Sequence, residues 1–223
     1  MRLTRRVSTY VAVVMSVLSA VLLFAAATAL LSTAFRTDER TALEESSRAM
    51  NAIQARLDAI GGNATDWAMW DDTYEFMNGD NPSYVEVNLP AETFTNLDVN
   101  VVGFYDRLGR PQKIITVNPV SGKPVSLPGI DDLLLEHPSL NLSRSQEKSF
   151  SGVLRLPGDQ LLLVGTGPIM PSDRSAPPNG TLVMGRVLDF SAVESIGEST
   201  QLDLTMSTAP IAADVPAATS TAS

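Results

Sequence analysis

Asp66-Trp67-Ala68-Met69-Trp70-Asp71-Asp72-Thr73-Tyr74-Glu75-Phe76 holds both tryptophans of the chain, with three aspartates and a tyrosine beside them. Elsewhere the sequence is aliphatic and aromatic-poor, so specific packing and recognition chemistry concentrate here. Read as a helix, the segment places Trp67, Trp70, Asp71 and Tyr74 on one face, at i, i+3, i+4 and i+7. Met69, Asp72 and Phe76 fall on the other side. A helix apolar on both sides is one buried between layers. Asp71 or Asp72 then needs a partner, because a buried unpaired carboxylate is costly. Two readings stay open. Large rings beside carboxylates can wall a ligand pocket. Alternatively, Asp72-x-x-Glu75 has the form of a capping box, with Asp72 as a structural cap. A carboxylate pair for glycoside hydrolysis has nothing in the sequence to fix its spacing.

Upstream, residues 7–34 carry no charged side chain, a run of about 28 where about 20 span a bilayer. Arg2, Arg5 and Arg6 precede it, and the positive-inside rule leaves residues 1–6 as a cytoplasmic basic tip. The expectation is a single-pass inner-membrane anchor with everything after Phe35 exported. A cleaved signal peptide is the alternative, since Ala27-Thr28-Ala29 has the small-x-small form of a cleavage site. Against it, the apolar run is longer than the about 7–15 residues of such a core and continues past that site.

Residues 36–60 contain no proline or glycine and read as a stalk helix. Met50, Ile53, Leu57 and Ile60 recur at 3–4 spacing, and Leu43 extends the seam by one heptad. That seam fits either a dimeric stalk or an amphipathic helix lying on its own domain. Gly61-Gly62 is expected to loosen it, with Asn63 or Thr65 capping the next helix.

The exported part is acidic. The whole chain has net charge −9 with 16 basic and 25 acidic residues, and three of the basic ones precede residue 36. That leaves 13 against 25, a balance of −12 that disfavours nucleic acid and anionic lipid as partners. Cysteine is absent and His137 is the lone histidine, so zinc sites and Cys/His dyads have no material. A Ser/His/Asp triad would have to use His137, which sits at an expected helix end before Pro138. No cofactor or metal is expected. Gly165-Thr166-Gly167 runs into proline and lacks the setting of a dinucleotide loop.

Beyond the aromatic segment, short helices are expected near residues 84–88, 130–136 and 191–198, and a turn or helix over 90–97. Strands are expected at 99–105 and 112–118 around an Asp-Arg-Leu-Gly turn, and at 151–156 and 160–166 around Pro-Gly-Asp. Further strands are expected at 181–188, after a loop over 171–180, and at 202–206. Helices first and an antiparallel sheet afterwards make an α+β domain over residues 61–206. Residues 207–223 read as a disordered tail rich in small residues.

Asp66-Trp67-Ala68-x-Trp70-Asp71-Asp72-x-Tyr74, followed by Asn88, resembles the opening of the fourth class of CHASE domains. The resemblance continues through Asn100-Val101-Val102-Gly103-Phe104-Tyr105-Asp106, Gly167-Pro168-Ile169, Gly180-Thr181-Leu182-Val183-Met184-Gly185-Arg186 and Gln201-Leu202-Asp203-Leu204. It implies an extracytoplasmic (periplasmic or extracellular) sensory module of a bacterial or archaeal receptor. It also implies a long helix leading into a PAS-like or Cache-like antiparallel sheet flanked by helices. Such receptors are typically dimeric and end in a kinase, a diguanylate cyclase or a phosphodiesterase. This chain ends after the sensory domain, so it is expected to lack a second span and an output, and to be no enzyme. The expected function is sensing of a small molecule or a periplasmic partner, as a homodimer tethered through one helix. Trp67, Trp70, Asp71, Tyr74 and Arg186 are the expected ligand contacts. A membrane-tethered, non-catalytic protein that dimerises with related receptors is the alternative.

Overall fold

The computed structural model describes residues 2–142 and 149–205, with side chains from 15 to 28 and from 43 onward. Two compact units divide at Met50 and Asn51. Helix α1, Arg2–Ala68, contributes to both.

In the first unit every described side chain from 15 to 28 is exposed, including Leu22 at 64% and Phe24 at 73%. Among the described residues, no helix is long and apolar enough to cross a membrane. The expected span over residues 7–34 lies partly outside the described side chains. The expected tail over 207–223 lies wholly outside the described residues.

The second unit is a five-stranded antiparallel sheet ordered β2-β1-β5-β4-β3. Its strands are β1 (Val101–Asp106), β2 (Pro111–Thr116), β3 (Phe150–Leu156), β4 (Gln160–Ile169) and β5 (Gly180–Val187). The helices are α2 (Asp71–Asn78), α3 (Tyr84–Asn88), α4 (Ala91–Leu97), α5 (Leu133–Glu136) and α6 (Phe190–Thr200). Both expected hairpins form, and β5 joins them by pairing with β1 and β4.

Strand alternation sorts the side chains into two cores. Val102 and Phe104 of β1, Leu163 of β4, and Leu182 and Met184 of β5 face one way. There they meet Leu57, Ile60, Ala64 and Ala68 of α1, with Tyr84 and Phe94. Val101, Tyr105, Leu162, Val164 and Val183 face the other way, against Ile130, Leu133, Leu134 and Leu140. The sheet is therefore covered on both sides, by helices on one and by α5 with its flanking loops on the other.

The structure differs from the sequence reading at four places. First, Gly61-Gly62 does not loosen α1, which continues to Ala68. A Cβ on Gly165 of β4 would sit 2.7 Å from the Gly61 Cα and nitrogen, so these glycines let helix and strand backbones touch. Neither Asn63 nor Thr65 caps a new helix, and the Thr65 hydroxyl donates back to the Gly61 carbonyl at 2.8 Å. Second, the lower half of the expected seam is taken by the domain itself. Leu57 is 8% and Ile60 4% exposed and Ile53 packs against the same core, whereas Leu43 and Met50 stay exposed. Third, the Leu202–Thr205 stretch of the expected last strand pairs with nothing as a strand, and Met206 lies outside the described residues. Fourth, the aromatic segment is two helices rather than one, as set out below.

Asp189 caps α6, accepting from the Ala192 amide at 2.9 Å and from Ser191. Burial pulls its pKa up, but those donors and Arg186 outweigh burial and hold it below the ordinary 3.8. Asp106, in the β1–β2 turn, behaves alike: burial raises it, and Arg110 with the Leu108 amide lowers it further. A depressed carboxylate contributes stability above its ordinary pKa and loses it as pH falls through the folded value. Stability is thus expected to hold flat above about pH 5 and to drop below about pH 4, an acid limb that Asp189→Asn shortens. Denaturant midpoints measured from pH 2.5 to 6 check this.

Candidate functional site

The last turn of α1, the start of α2 and the loop from β4 to β5 converge at one end of the sheet. Helix α1 stops at Ala68 because Trp70 turns extended, with φ −80° and ψ 139°. Thr73, fully buried, holds that break: its hydroxyl donates to the Trp67 carbonyl at 2.7 Å. The Tyr84 hydroxyl then donates to Thr73 at 2.8 Å, and burial pushes the Tyr84 phenol up to about 12. Beyond the break Trp67 and Trp70 stack, their rings 4.7 Å apart. Phe76 stacks on Tyr84 at 5.0 Å and meets Phe104 of β1 edge-on. The Met170 amide donates to the Ala68 carbonyl at 3.2 Å, fixing the end of α1 to the end of β4.

The loop is tied down from the same segment. Both Asp71 oxygens engage Ser172, accepting from its amide at 2.9 Å and its hydroxyl at 3.1 Å. The Asn179 side chain donates to the Tyr74 carbonyl at 3.0 Å and to Asn78 at 2.9 Å. Between these anchors the loop borders an open cavity of about 710 Å³. Thr65 and Met69 form the helix wall, Pro168 and Met170 the strand wall, and Arg174 and Pro177 part of the loop wall. Among the described residues the lining is apolar in body, with hydroxyls at Thr65, Ser149 and Ser175 and one cation, Arg174.

The expected contacts scatter around this cavity. Trp67, Trp70 and Tyr74 brace the helix break and the core beside it, while Asp71 holds the loop. Asp72 is not a cap. Helix α2 begins at Asp71 with Trp70 at the cap position and no side-chain cap bond, so Asp72 sits in the first turn. A carboxylate there is favoured by the helix dipole. Arg186 lies apart from the cavity. It is 2% exposed on the α1 side of β5, away from the loop. Its guanidinium donates to Asp98 at 2.9 Å, Asn100 at 2.8 Å, Asp189 at 3.2 Å and Ser191 at 2.8 Å. Asp98 in turn pairs with Arg56 of α1 at 2.7 Å. With its donors engaged inside the protein, Arg186 joins α1, α4, β1 and α6.

Sequence reasoning missed Met69, Thr65 and the loop residues that line the cavity. One signal was available for the loop: Pro171, Pro177 and Pro178 stiffen a stretch otherwise read as flexible. Asp71→Ala is expected to release this loop while the domain stays folded. Trypsin should then cut at Arg174 several-fold faster than in the unaltered chain, with the far-ultraviolet spectrum unchanged. Equal cleavage rates would show that Asp71 does not hold the loop.

Known proteins agree with this architecture. The CHASE4 domain profile matches residues 52–207. The methanogenesis regulatory histidine kinase FilI of Methanothrix harundinacea (strain 6Ac) is 33% identical over 160 residues, 71% of this chain. The chain spans 18% of that relative's length. A domain of a sensory box/GGDEF family protein from Vibrio parahaemolyticus superposes with a TM-score of 0.53 at 14% identity, over 71% of this chain and 63% of that one. The extracellular domain of a protein assigned as a histidine kinase, vpHK1S-Z8, gives a TM-score of 0.52 at 13% identity, over 71% and 60%. At such identities these structures share the fold alone. The profile covers most of the chain and includes the whole sheet, and the chain belongs to the CHASE4 domain family.

Proposed function

We propose that this chain is the sensory domain of a membrane receptor, and that it binds a small molecule in the cavity between the end of α1 and the β4–β5 loop. The observation that carries the reading is the cavity's construction. Its walls are Thr65 and Met69 on one side and a loop clamped by Asp71 on the other, so an occupant touches both elements. A volume of about 710 Å³ suits a small organic ligand. Family membership supports a sensory role, and the histidine kinase relative supports a receptor context.

The same reading places the domain outside the cytoplasm, anchored through residues 7–34, where the uncharged run supports a single span. Exposed Leu43 and Met50 are the part of the helical seam open to a second copy. The chain binds rather than turns over its ligand, and any output lies in a partner or in further sequence. A ligand acts only by favouring one arrangement of α1 over another, since equal affinity for both shifts nothing.

Thermal melting of the full chain in detergent against a panel of organic acids, amines, sugars and amino acids tests this. A ligand at 100 times its Kd adds about 2.7 kcal/mol, enough to raise the melting point measurably, and Ala176→Trp, which fills the cavity, should cancel the rise. A panel without response, with purified related receptors raising the melting point instead, would favour the interaction-protein reading.

A further inference from the structure

We infer that the cavity takes a small monocarboxylic acid with an apolar body, its carboxylate held by Arg174. This rests on the reading of the cavity as the ligand site and adds the chemical class. Among the described residues, Arg174 is the single cation of the lining. It has no ion pair or side-chain hydrogen bond with the described residues. Its sequence neighbour Asp173 turns its carboxylate onto the Ser175 amide at 2.9 Å instead.

A guanidinium is a planar fork of donors matched to a carboxylate, and a charge-assisted bidentate pair is among the stronger polar contacts. One cation balances one negative charge. A phosphate monoester would bring nearly two charges and three acceptor oxygens, against the one cation found among the described lining residues. Ser149, Ser175 and Thr65 supply hydroxyls to the lining. Met69, Met170, Pro168 and Pro178 supply the apolar remainder. The two methionines are flexible and polarizable and adapt to an alkyl body.

The sequence also supplies a reporter. Met69 lines the cavity and lies between Trp67 and Trp70, the chain's two tryptophans, which stack on each other. Intrinsic fluorescence therefore reports on the end of α1 that carries Met69, without a label.

The experiment titrates hexanoate and its neutral isostere hexanamide into the full chain in detergent at low salt. Hexanoate is expected to change tryptophan emission saturably, and hexanamide to bind roughly 10- to 100-fold more weakly. Arg174→Gln should remove that preference, bringing acid and amide together, while Arg174→Lys restores part of it. Circular dichroism confirms that both variants fold. Equal binding of acid and amide by the unaltered chain overturns the carboxylate inference and leaves the cavity as a ligand site. An acid preference that survives Arg174→Gln likewise overturns Arg174 as its reader. Absence of any saturable change, with tryptophan emission unmoved by the wider panel as well, overturns both readings together.

Discussion

Gly165→Ala is expected to destabilise the domain by about 3 kcal/mol, whereas Gly62→Ala stabilises it by about 0.5–1 kcal/mol. Both changes add one methyl group, so chemistry alone does not separate them. Position does. A Cβ on Gly165 meets the Gly61 nitrogen and Cα and the Ile60 carbonyl oxygen, each at 2.7 Å. Those are backbone atoms of a helix and cannot rotate aside, so either α1 lifts from β4 or the strand bends. Gly167→Ala repeats the clash lower down, 2.6 Å from the Ala64 carbonyl and 2.8 Å from the Ala68 Cβ. Gly62 faces solvent with nothing within 4 Å of an added Cβ. There the methyl group only removes the conformational cost of a helical glycine. Urea denaturation of the three variants checks the pattern. Gly165→Ala as stable as the unaltered chain would mean that α1 does not lie directly on β4.

Arg186→Ala is expected to cost about 3 kcal/mol while leaving ligand response in place. Arg186 is 2% exposed, but its partner Asp98 is 50% exposed, so water screens part of the attraction and the cost sits at the low end for a broken buried pair. The loss has several parts. Asn100, which also accepts from the Val187 amide at 2.9 Å, loses its guanidinium contact. Asp189 keeps its cap but loses its counter-charge, and a cavity opens beneath Phe104's side of the sheet. Arg186→Lys keeps the charge and loses the fork, so an intermediate cost is expected. Were Arg186 a ligand contact, the order would invert, with stability kept and response lost.

The strands were legible because short β-branched and aromatic runs such as Val101-Val102-Gly103-Phe104-Tyr105 flank polar turns with a late glycine. The long amino-terminal helix was legible for want of proline or glycine over residues 36–60. Gly61-Gly62 misled because a glycine pair signals either a break or a close approach, and only the partner strand tells which. The aromatic segment identified the family from sequence, yet its division into two helices turned on Thr73 reaching the Trp67 carbonyl, a contact with no periodic signature. Arg186 could be placed on a strand, but which face it occupied depended on register with β1 and β4. The cavity was least legible of all. Its loop has no apolar period, and its lining joins residues about a hundred positions apart, such as Met69 and Met170.

Methionine-methyl NMR of the full chain tests the central claim most directly, that the cavity at the end of α1 is the ligand site. Met69 and Met170 line it, whereas Met184 lies buried in the core of the sheet. Titration with the compound that most raises the melting point should shift the Met69 and Met170 methyl signals together, saturably and with one Kd. Met184 should stay in place, and Ala176→Trp should abolish the shifts. A saturable response that moves Met184 and leaves Met69 and Met170 unmoved would contradict it.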